Sequence, residues 1–242
     1  MAQPLLEIKG VSKHFGGFTA LSEVSIEIAA GERFGLIGPN GSGKTTLINC
    51  VGGALRNDGG SIVFAGEDVS RLAPYQRARR GIARSFQIPR PFRSMSVLEN
   101  LQVPLEYLAH RRTLHTADTA IEAMEILASM GLADKARTPS NRLSQVELRK
   151  LELARAMAAR PRLLISDEAM AGLSGSEVDE VLKILLELNA KGITIIMIEH
   201  IMQAVMRFSQ RVVCLDAGRI ICEAAPAEIV KNQDVQRAYL GA

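Results

Sequence analysis

The 242-residue sequence contains no tryptophan and few aromatic residues, and it has only three cysteines: Cys50, Cys214 and Cys222. The cysteines are odd in number and have apolar neighbours, so they indicate neither a disulfide framework nor metal-ligand spacing. We expect them to be reduced core thiols in a cytoplasmic protein.

Long hydrophobic runs are also missing. A stretch such as 193–198 (ITIIMI) has the length of a strand, far below the roughly 20 residues that span a bilayer. The first ten residues, MAQPLLEIKG, lack a charged segment followed by an apolar one, so we expect no signal peptide. The net charge is only +3 without a Lys/Arg block, and we expect no nucleic-acid partner.

Residues 38–46 read GPNGSGKTT and fit the phosphate-binding P-loop pattern G-x-x-x-x-G-K-[ST]. Its glycines allow positive φ angles and close approach of main-chain N–H groups to phosphates. The helix that begins near Gly43 adds its unpaired N–H groups and positive dipole end. Lys44 supplies a charge for the β- and γ-oxygens, and the Thr45 hydroxyl can ligate Mg²⁺. The residues expected to bind the nucleotide here are Gly38, Pro39, Asn40, Gly41, Ser42, Gly43, Lys44, Thr45 and Thr46.

Apolar periodicity predicts alternating strands and helices, which imply an α/β fold with a mainly parallel sheet and helices on both faces. The predicted strands are 5–11, 24–28, 33–37, 61–65, 162–166 and 193–198, and the predicted helices include 46–51, 96–110, 116–130 and 202–207. We expect one domain, 1–242. Within it, a helical subdomain at about 91–160 separates core halves 1–90 and 161–242.

Polar side chains follow several predicted strands, where α/β sheets place their ligands. Asp167 can hold Mg²⁺, and Glu168 can orient or deprotonate a water that attacks the γ-phosphate. His200 and Gln87 each end another strand. Alone, a histidine there is more often structural and a glutamine carries little information, although Gln87 could reach the metal or the water.

The order of these features resembles an ATP-binding-cassette (ABC) ATPase over essentially the whole chain. More narrowly, the sequence is similar to the ATPase subunit of branched-chain amino-acid importers. The segments that carry this narrower resemblance are 81–87 (GIARSFQ), 96–101 (SVLENL), 151–156 (LELARA), 198–200 (IEH) and 237–241 (RAYLG).

The resemblance implies a P-loop NTPase fold with an antiparallel β subdomain and a helical subdomain, and it implies ATP and Mg²⁺ as ligands. Phe15 stands where the family stacks an aromatic ring on adenine. Gln87 would sense Mg²⁺ and the membrane subunit, and Asp167 would hold the metal. Glu168 would be the catalytic base, while His200 would hold the γ-phosphate.

The resemblance also implies partners. ATP would lie between two ATPase subunits, with the P-loop of one facing Leu143 and Ser144 of the other. Transmembrane permease subunits would dock on the helical insert, and a periplasmic solute-binding protein would act indirectly. The chain would lie at the cytoplasmic face of the inner membrane.

One segment departs from the family pattern. Gln145, Val146 and Glu147 follow Leu-Ser, where the family usually has Gly-Gly-Gln or Tyr-Gly-Gln. A branched side chain and a negative charge would weaken binding of the partner's γ-phosphate. We therefore hypothesise a heterodimer with one slow site; the alternative is that both sites hydrolyse ATP. Ser166, Ala169 and segment 171–176 also depart from the pattern.

Other functions stay open at this level. An exporter ATPase, such as those of lipopolysaccharide export, looks much alike. A non-transport ATP-gated switch is a further alternative, although such proteins often carry two cassettes and this chain has one P-loop. A GTPase is disfavoured because no Asn-Lys-x-Asp segment is found.

Overall fold

The computed structural model describes residues 3–85, 89–109 and 116–240. The strands are β1 (Leu6–Phe15), β2 (Phe18–Ile28), β3 (Arg33–Ile37), β4 (Gly59–Phe64), β5 (Glu67–Asp68), β6 (Ile82–Ser85), β7 (Leu163–Asp167), β8 (Thr194–Ile198), β9 (Arg211–Asp216) and β10 (Arg219–Ala224). The helices are α1 (Lys44–Gly52), α2 (Pro74–Arg79), α3 (Val97–Ala109), α4 (Thr116–Ser129), α5 (Gln145–Met157), α6 (Gly175–Ala190), α7 (Met202–Phe208), α8 (Pro226–Ile229) and α9 (Gln233–Leu240).

Two sheets form the frame. The larger has six strands in the order β10-β9-β3-β8-β7-β6. Neighbouring strands in it are parallel, except that β9 and β10 pair antiparallel. The smaller is an antiparallel sheet in the order β2-β1-β4-β5. The predicted α/β class, with a mainly parallel core and an antiparallel β part, is confirmed.

The central strands are buried on both faces. All five residues of β7 and of β8 are buried, as expected for parallel strands covered on both sides. Alternate residues point to opposite faces, so Ile195 and Met197 join one core cluster with the helices. Ile196 and Ile198 join the other cluster, with α1 and the antiparallel sheet.

The helices α3, α4 and α5 lie between β6 and β7 along the chain. A capping box starts α3, since the Ser96 N–H donates to Glu99 Oε2 at 2.7 Å and the Glu99 N–H donates to Ser96 Oγ. Among the described residues, no helix has the length and apolar character needed to cross a membrane.

The first two strands are longer than predicted. β1 continues to Phe15 and β2 begins at Phe18, because Gly16, with φ 57°, permits a tight hairpin turn between them. The prediction stopped short because the exposed polar ends of this hairpin carry no apolar pattern. Likewise, β5 and α2 were not predicted from their short, mostly polar sequences.

Ser166 is buried in β7, and in the described part of the chain its hydroxyl has no hydrogen-bond partner. An unpaired buried polar group costs about 1–3 kcal/mol. We therefore expect Ser166→Ala to raise the midpoint of thermal unfolding, by about 2–4 °C per kcal/mol for a chain of this size.

The matched control for this measurement is Ser140→Ala. Ser140 is equally buried, but its hydroxyl donates to the Phe92 carbonyl at 3.0 Å, so its loss should lower the midpoint. If Ser166→Ala lowered the midpoint as much as the control, the unpaired hydroxyl would not be a source of instability.

Candidate functional site

The P-loop follows β3 and leads into α1. Gly38 has φ 149° and Gly43 has φ 104°, conformations that favour glycine. A Cβ atom on Gly38 would lie 2.1 Å from the Leu215 carbonyl oxygen, and one on Gly43 would lie 2.7 Å from that of Ala20. In the described structure, no side chain caps the first turn of α1, so its N–H groups form an anion-binding site.

Lys44 lies at the centre of this loop. Its ammonium donates to the carbonyl oxygens of Gly38 at 2.7 Å and Pro39 at 2.9 Å. Burial lowers the pKa of Lys44, while the nearby carboxylates of Glu168 and Asp167 act in the opposite direction. The structure thus places the predicted phosphate lysine close to the two predicted acidic site residues.

Two of the three predicted catalytic residues, Glu168 and His200, meet after the ends of β7 and β8. The Glu168 N–H donates to the Ile198 carbonyl at 2.8 Å. His200 Nε2 lies 3.0 Å from Glu168 Oε1, so the two side chains form a hydrogen-bonded pair. Glu168 has φ 48°, a left-handed conformation that costs about 1–3 kcal/mol for a non-glycine residue and persists mainly at functional sites.

Asp167, the predicted metal ligand, has a partner that the sequence did not reveal. Arg84, on the neighbouring strand β6, donates from one nitrogen to Asp167 Oδ2 at 2.5 Å. Its other terminal nitrogen donates to Asn49 Oδ1, on α1, at 2.6 Å. No role was predicted for Arg84 itself, which links β7, β6 and α1 at the site.

Glu199 is a second residue that sequence reasoning missed. Its side chain is buried, and burial raises its pKa to about 7. The Met170 N–H donates to Glu199 Oε1 at 2.9 Å, and the loop is also held by Arg149, which donates to the Ala171 carbonyl at 3.1 Å. Glu199 therefore fixes the segment after Glu168 and precedes His200 directly.

Leu143 and Ser144 directly precede α5. Ser144 is the N-cap of α5, and within the described residues its hydroxyl does not hydrogen-bond to the P-loop. The Ser144 N–H donates to Glu147 Oε2 at 2.8 Å, and the Glu147 N–H donates to Ser144 Oγ at 3.3 Å. Lys135 lies 3.4 Å from Glu147. The Ser144 N–H bond and Lys135 lower the pKa of the Glu147 carboxyl.

Two further predicted site residues are Phe15, for adenine, and Gln87, for the metal and the water. Phe15 ends β1, is 47% exposed, and has Lys13 Nζ 5.4 Å from its ring centroid. The same hairpin reaches the P-loop, where the Ala20 carbonyl on β2 faces Gly43. Gln87, predicted as a metal and catalytic residue, lies outside the described residues.

The arrangement is that of a nucleotide site. An anion-binding loop, a buried lysine and a carboxylate–histidine pair converge at the carboxyl edge of one parallel sheet, which is where α/β proteins bind ligands. The family model described as ABC transporter matches residues 21–171. A second model, described as branched-chain amino acid ATP-binding cassette transporter, matches residues 219–242.

Similar curated proteins include two transport subunits. The high-affinity branched-chain amino acid transport ATP-binding protein LivG of Salmonella typhimurium is 38% identical over 255 aligned positions, covering 100% of this chain and 99% of LivG. The protein of the same description, BraF, of Pseudomonas aeruginosa is 35% identical, covering 100% of this chain and 99% of its own length.

Similar solved structures are also ABC cassettes. A crystal structure of the ADP conformation of an ATP-binding cassette of an ABC transporter gives a TM-score of 0.91 at 31% identity, with complete coverage of both chains. A nucleotide-free cassette from an ABC transporter gives a TM-score of 0.90 at 32% identity, covering 99% of this chain and 100% of its own.

Proposed function

This chain belongs to the ABC transporter family and is an ATPase, and we propose that it energises an importer of branched-chain amino acids or related small polar solutes. The observation that supports the proposal is the pairing of an intact P-loop with Glu168 and His200 at one sheet edge. The full-length similarity to LivG and BraF supports the choice of solute class.

Each of these residues has a separate role in ATP hydrolysis. The first turn of α1 and the Lys44 ammonium bind the β- and γ-phosphate oxygens of ATP. Glu168 accepts a proton from the water that attacks the γ-phosphate. His200, 3.0 Å from Glu168 Oε1, orients that carboxylate and would hold the γ-phosphate.

A magnesium ion fits the donor set of this site. Asp167 offers a carboxylate at the end of β7, and Thr45 offers a hydroxyl in the first turn of α1; hard oxygen ligands are those that Mg²⁺ prefers. Gln87 is the third proposed ligand. The ion would neutralise charge on the phosphate oxygens, and Arg84 fixes Asp167 through Oδ2.

We further propose that the working unit contains a second, different ATPase subunit. In the family arrangement, the N-terminus of α5 faces the partner's γ-phosphate. Here that terminus already holds the Glu147 carboxylate, which accepts from the Ser144 N–H. An anion at this N–H and at the positive end of the helix dipole competes with a phosphate, so the nucleotide completed by this α5 should bind weakly. The chain's own P-loop would be completed by the partner subunit.

Val146→Gly combined with Glu147→Gln tests this proposal. Glutamine keeps the capping box and removes the charge. In the assembled complex, affinity for the second nucleotide should rise about tenfold or more, since a charge-assisted hydrogen bond contributes about 1.5–3 kcal/mol. Measurement is by nucleotide titration and steady-state ATPase assay.

The matched control is Glu99→Gln, which neutralises the carboxylate of the capping box that starts α3. It should change neither nucleotide binding nor turnover. An unchanged ATPase rate in the Val146/Glu147 variant would mean that the segment is tolerated and that both sites hydrolyse ATP.

The proposed location is the cytoplasmic face of the inner membrane, peripherally bound. The helical subdomain at about 91–160 would receive the permease subunits, and a periplasmic solute-binding protein would deliver the solute to them. Purification of the tagged chain from detergent-solubilised membranes should recover permease subunits and a second ATPase. Recovery of the chain without any membrane subunit would instead favour a non-transport switch.

A further inference from the structure

The C-terminal tail is anchored to the body of the protein through α9. Asn232 Oδ1 accepts from the N–H groups of Asp234 at 2.9 Å and Val235 at 3.1 Å, which fixes the start of this helix. Val235 is buried in the core cluster on the helical face of the large sheet. The hydrolysis mechanism above assigns no task to this helix.

Tyr239 lies one turn after Val235 and therefore on the same face of α9. The Gly38 N–H donates to Tyr239 Oη at 2.8 Å, a contact between residues 201 positions apart. Tyr239 is 39% exposed, and the partial burial of its phenol raises the pKa, although the bond from Gly38 acts against this. The phenol thus stays neutral at physiological pH and accepts from the first glycine of the P-loop.

Gly38 is held at both of its main-chain polar atoms. Its N–H binds Tyr239, and its carbonyl accepts from the Lys44 ammonium at 2.7 Å. A Cβ at this position would lie 2.1 Å from the Leu215 carbonyl oxygen, so no side chain can fix the residue in place of these bonds. The position of the carbonyl that holds Lys44 consequently depends on the bond to α9.

We propose that Tyr239 is a positioning residue for the P-loop, so that the C-terminal helix sets the affinity of the site for nucleotide phosphates. The phenol fixes Gly38, and Gly38 in turn fixes Lys44 and the path of the loop towards the first turn of α1. This inference rests on the nucleotide site alone and does not depend on the transported solute.

Tyr239→Phe in the full chain tests the proposal, because it removes one oxygen and keeps the ring. Titration calorimetry with ADP and Mg²⁺ should show binding weakened roughly two- to twelvefold, the effect of one net hydrogen bond. The matched control is Tyr107→Phe. The Tyr107 hydroxyl accepts from Arg79 at 3.0 Å on the exposed surface of α3, and its loss should leave ADP affinity unchanged.

Thermal unfolding without nucleotide separates positioning from simple structural support. Loss of the Tyr239 hydroxyl leaves the Gly38 N–H without its partner, so Tyr239→Phe should lower the midpoint, as Ser140→Ala should. The proposal predicts that only Tyr239→Phe loses ADP affinity, because the Ser140 hydroxyl binds the Phe92 carbonyl and not the P-loop. Unchanged ADP affinity in Tyr239→Phe would overturn the proposal. So would an equal loss of ADP affinity in Ser140→Ala, since the loss in Tyr239→Phe would then follow from lower stability alone.

Discussion

Glu168→Gln should lower kcat for ATP hydrolysis by a factor of about 10²–10⁴, the usual contribution of a general base. The amide has the shape of the carboxylate but cannot take a proton from water. ATP affinity should stay at the wild-type value because Lys44 and the start of α1 bind the phosphates. A steady-state phosphate-release assay and an ATP titration measure the two quantities.

The control for that prediction is Glu187→Gln. Glu187 is exposed on α6 and forms a surface ion pair with Lys183 at 3.9 Å. Its turnover should equal that of the wild type. Retention of full turnover in Glu168→Gln would show that another group activates the water, and the pairing of Glu168 with His200 would then be structural.

Lys44→Ala should weaken ATP binding about 100-fold or more, because two charge-assisted hydrogen bonds of about 1.5–3 kcal/mol each are lost. The side chain is only 7% exposed, so solvent screens its interaction with phosphate little. Titration of the full chain with ATP and Mg²⁺ measures the change.

Lys150→Ala is the matched control for Lys44→Ala. The Lys150 side chain is only 13% exposed, and its ammonium pairs with Glu180 at 2.7 Å on the helical side of the molecule. ATP affinity should be unchanged in this variant. Equal affinity in Lys44→Ala and the control would place the phosphates elsewhere than at the P-loop.

Local chemistry explains why much of the site was predictable from sequence. Gly38 and Gly43 have positive φ angles and no room for a Cβ, and the P-loop pattern spans only a few residues. Asp167, Glu168 and His200 follow buried apolar strands, and parallel strands end at one edge of the sheet.

The contacts between distant residues were not predictable. Arg84 binds Asp167 across 83 positions, and Tyr239 binds Gly38 across 201; no local pattern encodes either pairing. By contrast, Ser144-x-x-Glu147 is the capping-box pattern. That signal could have shown that Glu147 turns back onto its own helix rather than projecting as a free charge.

The roles given to Gln87, Phe15 and the Leu143–Ser144 segment stay predictions. Gln87 lies outside the described residues. Phe15 is exposed at a hairpin end, and Leu143 and Ser144 would act on a nucleotide bound to another subunit. The contacts within a single chain position only the residues that act on the nucleotide bound to that chain.

We propose that ATP hydrolysis at Glu168 drives import of branched-chain amino acids. The most direct test of this proposal is uptake of labelled leucine by proteoliposomes that contain the permease subunits, the second ATPase and this chain, with solute-binding protein outside and ATP inside. We predict uptake that requires ATP and is lost in Glu168→Gln. Leucine uptake that persists in that variant, or ATP hydrolysis with no accumulation of leucine, isoleucine or valine, would contradict the account.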